Sequence, residues 1–156
     1  LLTQKLLDSL RGTPPKALVA VEVSVVDAEK MIKKALESRR GDCTRTRPRT
    51  MLKDSFRKVL NQRTYQGPRQ IEEAWRMLGR SKCWKEIAEE MEISAEDVCK
   101  NLSRIVARRN KIVHEGDIKQ ASRPREVRLN EIDSVATRQD IEWLDSLVRA
   151  IESLVT

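Results

Sequence analysis

In residues 94–117, SAEDVCKNLSRIVARRNKIVHEGD, a helix cap, an apolar stripe and the only histidine of the 156-residue chain fall together. Ser94 is a favoured N-cap residue, and Asp97 three positions on suits the positive end of a helix. Val98, Leu102, Ile105, Ile112 and Val113 recur at helical spacing and predict one apolar face. Gly116 is placed to end the helix as a left-handed cap. Near 100° per residue, Arg109 falls in phase with Leu102 and Ile105. An arginine on a buried stripe is costly unless something pairs with it, which sets Arg109 apart from its basic neighbours. Lys100, Arg104, Arg108 and Lys111 fall on a different, solvent-facing stripe.

Working outward, helical periodicity dominates and the fold class expected is all-α. Leu2, Leu6, Leu7 and Leu10 predict a short first helix, stopped by Gly12-Thr13-Pro14-Pro15. Leu18, Val21, Val25, Ala28, Ile32 and Ala35 alternate at spacings of three and four and predict one helix continuing through Leu36. The stretch Val19–Val25 also alternates like a strand, and length decides for helix. Residues 41–50 break the pattern as a loop bearing Arg45, Arg47 and Arg49, because Pro48 does not continue a helix. That loop either grips phosphates or is a solvated basic segment.

Met51–Leu60 predicts a further helix, Tyr65-Gln66-Gly67-Pro68 a turn, and Ile71–Leu78 and Trp84–Met91 two shorter helices broken near Gly79. Residues 118–135, charged and containing Pro124, read as irregular. Thr137 opens the last helix, with Ile141, Leu144, Val148, Ile151 and Val155 as its buried stripe. The domain reading is a short helix and linker over 1–14, and one helical domain over 15–156. The chain starts at Leu1 rather than Met, as an excised piece of a larger protein would.

Composition narrows the function. Formal net charge +7 with 35% charged residues favours an acidic partner such as RNA, DNA or an anionic surface. Three cysteines without ligand spacing and one histidine give no zinc site, and the odd count fits a reduced, cytoplasmic setting. No run approaches the ~18 apolar residues of a membrane span. Trp75, Trp84 and Trp143 lie near apolar stripes as core residues, and Tyr65 packs in its turn. Glu22 either pairs with Arg109 or faces solvent.

A histidine moves protons near neutral pH, and an arginine holds a phosphate by two parallel hydrogen bonds. Asn110 and His114 are four apart and share a face. Arg109 and His114 are five apart, about 140° around the helix, so one straight helix does not aim both at one atom. Two copies around a two-fold axis would bring both pairs to one cleft. The position also suits a purely structural role, since a histidine in the last turn meets the negative helix end.

The run Arg108-Arg109-Asn110-Lys111-Ile112-Val113-His114-Glu115-Gly116-Asp117 resembles the signature of the HEPN superfamily, most of all the branch named RiboL-PSP-HEPN. In that signature an arginine, followed by a polar residue such as Asn110, is separated from a histidine by four to six residues. The helix around Glu22 to Arg39, the Gly67-Pro68 turn, Trp84 and the Ile141–Val155 helix occur in the matching order, so the resemblance covers most of 15–156. It implies a bundle with two long antiparallel helices, and a metal-independent endoribonuclease working as a homodimer. Arg109 would neutralise the scissile phosphate, His114 would serve as general acid or base, and Asn110 would orient them. Arg104, Arg108, Lys111, Arg45, Arg47 and Arg49 would contact RNA, with no metal or cofactor. Such domains act as toxins or antiviral defence effectors, with an antitoxin or a fused sensor domain as further partners. The alternative is an inactive HEPN-type module for dimerisation or for binding nucleotides or nucleic acid.

Overall fold

The computed structural model describes residues 2–10, 13–39, 48–116 and 130–156, with the backbone alone at 38, 39, 48, 49 and 115. Among the described residues there are eight helices and no strand. They group into two compact units.

The first unit draws on Leu1–Tyr65 and Glu73–Ser81. It contains α1 (Leu2–Ser9), α2 (Lys16–Val19), α3 (Val25–Arg39) and α4 (Pro48–Gln62). Leu6 and Leu7 of α1 share one buried core with Leu18, Val21, Phe56, Leu60 and Met77, so the segment 2–9 is packed into this unit. Trp75 is fully buried, and the Arg80 guanidinium stacks over its ring at 5.3 Å.

The helix expected from 18 through 36 is two helices. Residues 21–24 are not helical, and Ser24 caps α3 by accepting the Asp27 N–H at 3.2 Å. The β-branched run Val19–Val25 is a weak helix former, and a serine at its end offers a better start. Only Leu18 and Val21 of the expected stripe are buried, while Val25, Ile32 and Leu36 are exposed on α3. The expected loop 41–50 also ends earlier than expected, because Pro48 is the first residue of α4. Its fixed φ and missing donor cost nothing there. Arg49 therefore lies on a helix, whereas Arg45 and Arg47 fall outside the described residues.

The second unit draws on Gln66–Glu72 and Lys82–Thr156. Here α6 (Cys83–Met91) packs against both α7 (Ala95–Glu115) and α8 (Ser134–Val155). Its buried side chains include Ile87, Ala88, Val98, Leu102, Leu147, Ala150 and Ile151. The helix α5 (Pro68–Met77) begins at the turn expected from Gly67-Pro68.

The last helix starts three residues earlier than expected. Asp133 caps it by accepting the N–H groups of Val135 and Ala136, and the expected starter Thr137 lies inside, its hydroxyl donating to the Asp133 carbonyl at 2.7 Å. Residues 134 and 135 are thus helical, 130–133 are irregular, and the rest of the expected loop lies outside the described residues. The packed face differs in part. Ile151 is buried as expected, together with Leu147 and Ala150, whereas Ile141 and Val148 are exposed.

Candidate functional site

The site begins at the cap of α7. Ser94 Oγ accepts the Asp97 N–H at 3.0 Å, as the sequence pattern predicts, and Gly116 closes the helix at φ 63°. From cap to cap α7 has 21 residues, against nine in α6. At 1.5 Å per residue this is about 32 Å against about 14 Å, so α6 can support only part of α7. The stripe registers the difference. Val98 and Leu102 are buried and Ile105 is half-buried, but Ile112 is 49% and Val113 56% exposed.

Between the far part of α7 and the first half of α8 lies an open groove of about 550 Å³. Its lining includes Ile105, Ile112, Val113, Ile141 and Leu144, with Arg104, Arg108 and Arg109 along the α7 side. The expected separation of Arg109 from the other arginines does not hold. Arg109 is exposed and Arg108 half-buried, because the stripe runs beyond its support before it reaches position 109. All three arginines border the same groove.

Arg109 and Arg104 make different contacts. The Arg109 guanidinium donates from Nη1 to Asn110 Oδ1 at 3.0 Å, so the two neighbouring motif residues are joined directly. Arg104 reaches α8 instead, where its Nη1 donates to Asp140 Oδ2 at 3.0 Å and its Nη2 donates to Asp140 Oδ1. This fork holds the Asp140 carboxyl below its ordinary pKa and raises that of Arg104. Arg104, expected as an RNA contact, is engaged by a carboxylate 36 residues away. Nothing in the local sequence marks Asp140 as its partner.

Asn110, Lys111 and His114 are exposed and lie outside the groove lining, with His114 in the last turn of α7. The fold therefore brings Arg109 to Asn110 and to the groove edge, and leaves His114 further along the same helix. Glu22 is exposed in the non-helical link before α3. Trp84 and Trp143 are half-buried, as is Tyr65, whose phenol is pushed above its ordinary pKa by burial. Burial likewise raises the half-buried Cys99 thiol, with Glu72 adding to the effect. Among the described residues, no three His, Cys, Asp or Glu side chains gather as metal ligands. Among those residues, too, no helix is long and apolar enough to cross a membrane.

Compared with family models, with curated proteins and with solved structures, the chain finds no match.

Proposed function

We propose that the chain is a HEPN-type, metal-independent endoribonuclease that works in the cytoplasm as a homodimer, the effector of a microbial defence or toxin system. The observation that carries this reading is the exposed Arg109, bonded to Asn110, beside a groove whose apolar residues Ile112, Val113 and Ile141 are themselves exposed. Contiguous exposed apolar surface marks an interaction site. A second copy on this face would set two 109–114 segments opposite each other, which the 140° divergence of Arg109 and His114 demands.

RNA supplies its own nucleophile. The 2′-oxygen attacks the phosphorus as a base takes its proton, and the bond to the 5′-oxygen breaks as an acid protonates that leaving group. The products are a 2′,3′-cyclic phosphate and a 5′-hydroxyl. His114 takes one of these proton-transfer roles and its two-fold copy can take the other. Arg109 clamps the non-bridging oxygens as charge builds on them.

The test is incubation of the protein with RNA in EDTA beside a His114→Ala variant. The variant is expected to lose about 10²- to 10⁴-fold in cleavage with its fold intact. Equal activity in the variant, or strict dependence on added Mg²⁺, would exclude the mechanism. A dimer that binds RNA without cleaving it would leave a non-catalytic module.

A further inference from the structure

We propose that Asp140 competes with RNA for Arg104, so that this carboxylate limits how tightly the site holds phosphate. RNA as the competing anion rests on the ribonuclease reading; the exchange itself does not. Arg104 lies five residues before Arg109 on α7 and borders the same groove. Its two Nη groups meet the two Asp140 oxygens in a fork. A phosphate takes an arginine through the same pair of parallel N–H donors, so carboxylate and phosphate are alternative occupants of one edge.

Exposure favours the exchange over a permanent tie. The Arg104 side chain is 55% exposed and that of Asp140 is 23% exposed. A phosphate can approach the guanidinium from solvent, while the carboxylate stays anchored on α8. Ion pairs as open as this are worth little in water, so the exchange is within reach of one phosphate contact. Arg109, whose described hydrogen bond goes to a neutral amide, meets no such competitor among the described residues.

The experiment compares wild type with Asp140→Asn, Asp140→Ala, Arg104→Ala and Arg104→Ala/Asp140→Asn. The probe is a 2′-O-methyl oligoribonucleotide, which lacks the nucleophile, titrated in EDTA over a range of NaCl. Asp140→Asn is expected to tighten binding about fivefold, the upper end for an exposed pair. The slope against log salt should steepen by about 0.7, one added phosphate contact on a single strand. The gain should vanish in the Arg104→Ala background. Asp145→Asn removes an equal charge from a carboxylate paired with Arg149 and should leave the slope unchanged. When the wild type binds the oligonucleotide, a gain that persists without Arg104, or its absence from both Asp140 variants, would overturn the proposal.

A second probe, inorganic pyrophosphate followed at the Arg104 Nε–H resonance, separates the two readings. If no variant binds the oligonucleotide but pyrophosphate shifts Arg104 more readily in the Asp140 variants, the ribonuclease reading fails and the competition stands. No such difference at Arg104 would overturn the competition.

Discussion

Glu92 has a φ of 55°, the one positive value at a non-glycine residue among those described, and it caps α6 in the left-handed region. That conformation costs an L-residue roughly 1–2 kcal/mol, part of which glycine returns as greater freedom of the unfolded chain. Glu92→Gly is expected to stabilise the protein by about 0.5 kcal/mol, read as a higher urea midpoint. Gly79 is the converse case. Its φ is 80°, and an added Cβ would stand 3.2 Å from Pro15 Cγ. Gly79→Ala should cost about 1–2 kcal/mol in the same assay. The glycine was legible in the sequence as a break between two helices, whereas nothing about a glutamate announces a left-handed cap. Tyr65, the only tyrosine, has a phenolic oxygen buried without a hydrogen-bond partner among the described residues. Burial raises its pKa, so the protonated form is favoured in the folded state and stability should fall as pH rises above the ordinary 10.0. The phenolate absorbance midpoint should lie above 10.0 in native protein and return to it in denaturant.

At the level of elements, register was legible where a cap and a single apolar stripe agree. Ser94, Asp97, Val98, Leu102 and Gly116 place α7 from end to end, and Ser94→Ala should cost about 1 kcal/mol. Where two apolar stripes interleave, local pattern cannot choose between them. On α8 the expected stripe Ile141, Leu144, Val148, Ile151 and Val155 is centred about a quarter of a turn from the packed set Leu147, Ala150 and Ile151, and Ile151 alone belongs to both. Contact with α6 makes the choice, and that contact is non-local. The same holds for Arg104 and Asp140, which join α7 to α8. The lowered Asp140 pKa gives the pair a definite acid signature. Its contribution is complete above the unfolded value near 3.8 and is lost as pH falls through the lower, folded value. The destabilisation caused by Asp140→Asn should accordingly be visible at pH 7 and shrink toward zero as the carboxylate protonates. A cost independent of pH would mean that Asp140 acts by packing alone.

At the scale of the whole molecule, the exposed apolar side chains among the described residues include Val25, Ile32 and Leu36 on α3, and Ile112, Val113 and Ile141 around the groove. The groove includes Arg109 in its lining, so the proposed catalytic dimer would use it. Ile141 is 62% exposed, and substitutions at such positions usually change monomer stability by no more than about 0.5 kcal/mol. Ile141→Asp should thus leave thermal unfolding of the single chain nearly unchanged. In the dimer the same aspartate would be desolvated opposite its own copy, which costs several kcal/mol of association free energy. The expected result by sedimentation is a concentration-dependent dimer for the wild type and a monomer for Ile141→Asp. EDTA-resistant cleavage should fall in parallel, because Arg109 and His114 of one chain diverge by about 140°. Ile32→Asp, on the other surface, should keep both the dimer and the activity. Were Ile32→Asp to dissociate the protein while Ile141→Asp did not, the interface would lie on α3, remote in sequence from the motif. An active Ile141→Asp monomer would place the whole reaction on one chain and remove the reason for a two-fold site.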